Sequence, residues 1–153
     1  MKIVSSLALV VAVGWICGCA TTPDSQITSV SLNPTVYNAG NTAQATLAPM
    51  GNQTRLSVFV GGVPAGTGVP VRLYTYVYSG SCSSLGPQPV FELNQSVNTE
   101  FISPESGPGG TRSLRLWKSV PMAYDTLRSG GYALVLRGSP ADGGHDIFCG
   151  SLG

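Results

Sequence analysis

The chain has 153 residues, 20 of them glycine and 11 proline, with only 10% charged side chains and a formal net charge of +1. Length bounds it to one ordinary domain plus a leader, enough for one core. The few charges are mixed in sign along the chain, so no basic stripe suits nucleic acid or an anionic surface, and nucleic acid is excluded as a partner.

The leader comes first. Lys2 precedes an apolar run from Ile3 to Ile16, followed by small residues, which is the layout of a secretory signal. Crossing about 30 Å of hydrocarbon takes roughly 20 apolar residues, and this run stops short of that at Gly18. Its exit, Ile16-Cys17-Gly18-Cys19, resembles the bacterial lipobox, in which an aliphatic residue and two small ones precede the cysteine that receives lipid. The resemblance implies a signal peptide over 1–18, cleavage before Cys19, diacylglyceryl and acyl (palmitate-type) chains on Cys19, and attachment to a membrane through them. Cys17 is the poorer candidate, because Trp15 and Ile16 would fill the positions just before cleavage. Ala20 after the lipidated cysteine resembles lipoproteins sent to the outer membrane. The alternative is a plain secreted protein with two spare cysteines.

Removal of 1–18 leaves 135 residues with seven cations against seven carboxylates. Cys82 and Cys149 are then the two cysteines left over in an oxidising compartment, which predicts a disulfide between them. Residues 19–41 are poor in large apolar side chains and rich in Thr, Ser, Asn and Pro, and read as a tether with one edge strand at 27–32. The domain, 42–153, then follows a period of two. Runs at 43–49, 54–60, 69–78, 89–93, 113–120, 132–138 and 146–152 alternate apolar and polar residues. Turn signals at Met50-Gly51-Asn52, "GGVPAGTG" and "SPADGG" separate them. This rhythm predicts an all-β, antiparallel Greek-key β-sandwich of about seven to eight strands, immunoglobulin-like or superoxide dismutase-like. Residues 98–111, with two prolines and three glycines, are long enough either to move or to cover a face of the sheet, and 121–131 has room for one helical turn.

Gly80-Ser81-Cys82, Gly131-Tyr132-Ala133 and Cys149-Gly150 fall in an order that resembles the bacterial copper/zinc superoxide dismutase-like sandwiches and the related chordin-type domains, over about 43–152. The resemblance implies the same Cys82–Cys149 bridge. It does not bring the metal: the family's His-x-His positions hold Tyr76 and Tyr78, and its later histidine position holds Arg137. Phenol and guanidinium do not replace imidazole around copper or zinc. No cofactor or metal is therefore expected, and superoxide dismutase activity is not expected either. On strand 69–78 the core parity is Val69, Val71, Leu73, Thr75 and Val77, which leaves Arg72, Tyr74, Tyr76 and Tyr78 outside. Ala133, Val135 and Arg137 share the outer parity of 132–138. A guanidinium-on-ring cluster of Arg137 with Tyr76 and Tyr78 is the expectation where the family's metal sits, and Tyr74, Tyr76, Tyr78 and Arg137 form a possible binding face.

Other chemistries find no support in the residues. His145, between Asp142 and Asp146, supplies two parts of a hydrolytic triad without a Gly-x-Ser-x-Gly setting, and reads as solvated surface. Glu92, Glu100 and Glu105 have no reason to converge as a glycosidase pair. The glycine clusters lack the lysine and helix of a phosphate cradle. The expectation is a non-catalytic structural or binding module, lipid-anchored at the outer membrane, with an envelope protein or glycan as partner. The alternatives are a degenerate metal or redox protein and a glycan-binding module that uses the tyrosines.

Overall fold

A computed structural model describes residues 26–102 and 113–153; the leader, the lipidated Cys19 and most of the 98–111 segment lie outside the described residues. Among the described residues nine strands form an antiparallel ladder: β1 (Thr28–Pro34), β2 (Ala43–Met50), β3 (Gln53–Val60), β4 (Leu73–Ser81), β5 (Ser84–Glu92), β6 (Glu100–Phe101), β7 (Leu114–Val120), β8 (Tyr132–Gly138) and β9 (Asp146–Ser151). One short helix, α1 (Tyr124–Ser129), occupies the segment expected to hold a helical turn. The spatial order is β5-β4-β8-β9-β1-β2-β3-β7-β6.

The elements follow from alternation. In β2 and β3, Ala43, Ala45 and Leu47 face Val60, Val58 and Leu56 in register, and all six are buried. β7 adds Leu114 and Leu116 opposite Val60 and Val58. Across the molecule Leu73, Val77, Leu134, Leu136, Ile147 and Phe148 point to the same core. Inner faces of both halves thus meet in one apolar cluster, and the curled ladder closes around it. At roughly 25 cal/mol per Å² of apolar surface, such burial is the main stabilising term.

Four differences from the expected elements have physical reasons. β1 begins inside the stretch read as a tether, and it is central, not an edge: residues 28–32 pair with β2, while Asn33 and Pro34 pair with Cys149 and Phe148 of β9. It joins the two halves although only Leu32 of it is buried, and that sparse apolar content is why its sequence resembles a linker. β5 starts five residues before the expected 89 and includes Pro87 and Pro89, which an edge strand with irregular register tolerates. β4 starts at Leu73, not 69: Val69, expected on the core side, is exposed, and Arg72 makes an isolated bridge to Asn98 instead. The ninth strand, β6, is a two-residue pairing against Leu114 and Arg115.

The Cys82–Cys149 bridge is present, with Cα atoms 5.8 Å apart and a sequence separation of 67. Two glycines beside it are required by close backbone approach. A Cβ on Gly80, whose φ is +96°, would stand 2.2 Å from the Ser84 carbonyl oxygen; one on Gly150 would stand 2.4 Å from the Leu32 side chain and 2.7 Å from the Ser31 oxygen. Only glycine fits either place without moving the chain.

Candidate functional site

The face singled out by the tyrosines is built by β4, β8 and β9. Register sets Tyr74 opposite Arg137, Tyr76 opposite Val135, and Tyr78 opposite Ala133, while Val135 in turn faces Cys149. All these residues share the parity opposite to Leu73, Val77, Leu134 and Leu136, so the tyrosines stand on the outer surface. They do not form one open stripe. Tyr78 is only 8% exposed and packs with Ala133, Val135 and Cys149, with Tyr76 and Leu85 laid against that cluster. Leu85 comes from the β4–β5 hairpin. A small second core therefore buries the Cys149 side of the disulfide, while Cys82 stays exposed, and β8 reads as apolar on both faces for that reason.

Toward the other end of the face the cluster becomes polar. The Arg137 guanidinium carbon lies 4.9 Å from the centroid of the Tyr76 ring, and the Tyr76 and Tyr78 rings are 6.3 Å apart, inclined by 49°. A register shift between Leu136 and Arg137 sets Arg137 opposite Asp146. Its Nε donates to Asp146 Oδ1 at 2.6 Å, with the two side chains 33% and 35% exposed. That hydrogen bond, opposed only in part by desolvation, drives the guanidinium's already high pKa further up, so Arg137 is a fixed cation. Partial exposure limits the worth of the pair.

This donor set does not fit copper or zinc. A permanent positive charge lies over Tyr76, the nearby carboxylate of Asp146 is committed to it, and the other groups are neutral phenols. Among the described residues, no group of three or more His, Cys, Asp or Glu side chains could hold a metal ion.

His145 sits elsewhere. It is exposed, and its ring stacks on Tyr37 with centroids 3.9 Å apart and planes inclined by 6°. Neither acid near it in sequence orients it: Asp142 Oδ1 accepts the Gly68 N–H at 3.0 Å, and Asp146 is taken by Arg137. A hydrolytic arrangement is not assembled. The stack has no signal in the sequence, since Tyr37 lies 108 positions upstream of His145.

A feature on the opposite half was also unforeseen. Between β5 and β7 a cleft of about 490 Å³ is lined by Phe91, Glu92, Gln53, Ser96, Trp117 and Lys118 among others. Lys118 occupies a core position of β7, in phase with Leu114, Leu116 and Val120, and its Nζ donates to the Ser96 carbonyl oxygen. Burial pushes its ammonium pKa down. A lysine in phase with leucines is the signal that could have found this opening. Trp117, of opposite phase, stands out at 57% exposure with the Arg115 guanidinium 5.8 Å from its ring centroid.

No family model matches the chain, and no curated protein matches its sequence.

Proposed function

We propose that the chain is a bacterial lipoprotein: cleaved before Cys19, acylated there, held at the outer membrane, and carrying a non-catalytic structural or binding domain. The observation that carries this reading is the use of the four cysteines. Cys82 and Cys149 are joined within the domain, which suits an oxidising compartment, and the other two, Cys17 and Cys19, stand at the lipobox-like exit of the apolar leader. Two or more acyl chains give lasting attachment where one is marginal. The ladder order, with β1 to β3 and β7 in one half and β4, β5, β8 and β9 in the other, supports the finer reading of a Greek-key sandwich similar to the superoxide dismutase-like domains. The Tyr76–Arg137–Asp146 cluster supports a domain without that family's metal chemistry.

Mass analysis of the mature protein from the membrane fraction tests the reading. The expected N-terminal peptide begins at Cys19 and carries diacylglyceryl and acyl mass, and Cys19→Ala releases an unmodified protein. A mature terminus elsewhere, or an unmodified Cys19, refutes it. Recognition of an envelope glycan by the tyrosine face is a second reading, supported by the half-exposed rings of Tyr74 and Tyr76; binding to a glycan panel that persists in Tyr76→Ala would argue against it.

A further inference from the structure

Resting on the lipoprotein reading, the geometry points to a membrane-docking surface: we infer that the end of the domain bearing Ile27, Met50, Arg55 and Trp117 lies on the lipid headgroups to which Cys19 is anchored. Eight residues, 20–27, lie between Cys19 and Thr28, the first residue of β1. Fully extended, they reach about 30 Å at most, so the domain stays within roughly its own diameter of the bilayer. The position where β1 starts is therefore the end brought closest.

That end has a suitable surface. Thr28 pairs with Leu47, which pairs with Leu56, which pairs with Lys118. One step toward the chain start is Ile27, 61% exposed; one step on the other side, on the outer face, is the 57% exposed Trp117 opposite Ser57. Three residues beyond Leu47, toward the same end of the sheet, Met50 and Gln53 close the β2–β3 hairpin, with Met50 exposed. Arg55 Nη2 rests 3.2 Å from Met50 Sδ, and Met50, Arg55, Trp117, Lys118 and Ser119 line an open hollow of about 580 Å³. No carboxylate lines that hollow, and neither Arg55 nor Lys118 pairs with one among the described residues.

The chemistry matches a lipid surface. Indole is amphipathic and settles at the boundary between headgroup and acyl chain, Ile and Met add apolar area below it, and a guanidinium binds phosphate. Scattered apolar residues on a surface mean little alone. Here Met50 and Trp117 share one hollow with Arg55, which no carboxylate pairs among the described residues, and Ile27 is exposed where the chain from Cys19 enters β1.

The experiment exploits the tryptophan count. Of Trp15 and Trp117, only Trp117 remains after cleavage, so the intrinsic fluorescence of the mature protein reports on this surface alone. The acylated protein is reconstituted in phosphatidylethanolamine/phosphatidylglycerol vesicles, with unacylated Cys19→Ser protein, produced without residues 1–18 and so without Trp15, in buffer as reference. Docking predicts a blue-shifted Trp117 emission, protection from acrylamide and quenching by brominated acyl chains. Arg55→Gln, with Trp117 and the anchor intact, should weaken all three while the protein still floats with the vesicles. Acylated, vesicle-bound protein whose Trp117 is as accessible to acrylamide as the reference overturns the docking surface and leaves the lipoprotein reading standing. Protection of Trp117 by soluble envelope glycan, with none by vesicles, also overturns it. A chain that carries no lipid by mass refutes both.

Discussion

Opening the Cys82–Cys149 bridge tests how the fold is held together. The bridge runs from the β4–β5 turn to β9 and encloses β5, β6, β7, α1 and β8 within a loop of 67 residues' separation. For a loop of that size the chain-entropy relation gives about 4 kcal/mol of stabilisation, exerted on the unfolded chain. Strands β4, β8 and β9 are already neighbours by hydrogen bonding, so the native state loses little contact when the bridge opens. A domain of this length unfolds with an entropy of roughly 0.25 kcal/mol per kelvin near its midpoint, so 4 kcal/mol corresponds to a fall in Tm of about 15 °C. The assay is thermal and urea unfolding, followed by circular dichroism, of the oxidised protein, the reduced protein and the Cys82→Ser, Cys149→Ala double variant. Reduced and double-variant proteins should melt alike, and their urea m values should rise because the unfolded chain is no longer cross-linked and exposes more surface. A melting point within about 3 °C of the oxidised protein, with an unchanged m value, would refute the argument that the bridge acts on the unfolded ensemble.

Other consequences are equally concrete. A double-mutant cycle with Arg137→Met and Asp146→Asn should give a coupling of only about 0.5–1 kcal/mol, weakened by salt, because the pair is one-third exposed; urea midpoints at two ionic strengths check it. Gly80→Ala should destabilise the domain by about 2 kcal/mol or more, measured by denaturant unfolding, since φ is positive and the new methyl group meets the Ser84 carbonyl. Lys118 is protonated in the unfolded chain to higher pH than in the folded one, because burial lowers its folded pKa. Its penalty on folding is therefore relieved as pH rises from that lowered value toward about 10.4. Wild type should gain stability relative to Lys118→Met over that interval; a constant difference between the two from pH 7 to 10 would contradict the burial. Finally, Tyr76→His, Tyr78→His and Arg137→His together should create a copper site with Asp146 released, seen as stoichiometric Cu(II) uptake with a d–d absorption band.

Much of the sheet was legible because burial on one face imposes a period of two. β2, β3, β7, β8 and β9 lie within a residue or two of the apolar–polar runs, and the outer placement of Tyr74, Tyr76, Tyr78 and Arg137 follows from the same parity. What was not legible depends on partners distant in sequence. β1 contributes little to the core, and its place between β2 and β9 is fixed by those neighbours' unpaired edges, not by its own composition. Leu85 belongs to an edge strand whose prolines imitate a turn, and nothing local says that it will lie over the tyrosine cluster. Asp146 reaches Arg137 only because the ladder shifts register after Leu136; the shift leaves the adjacent Ile147 and Phe148 both buried, but a pair of neighbouring apolar residues does not say which partner the strand will face.

The residues on which the proposed resemblance to superoxide dismutase-like sandwiches rests fall into two physical sets with different demands. Gly80, Cys82, Cys149 and Gly150 serve closure: a hairpin turn that needs positive φ, a β9 backbone pressed against Leu32 and Ser31, and the bridge between them. Their requirements are met by backbone sterics and sulfur chemistry, whatever the side chains on the outer face of β4 and β8 happen to be. Tyr76, Tyr78 and Arg137 fill that face by ring packing and an ion pair to Asp146, which demands no imidazole. The two sets make independent demands on the chain: closure constrains backbone and sulfur, while the outer face of β4 and β8 is stabilised by a stacked guanidinium, an ion pair and packed phenols. Closure motifs of this kind therefore argue for architecture alone, and any activity has to be argued from the side chains of residues 76, 78, 137 and 146.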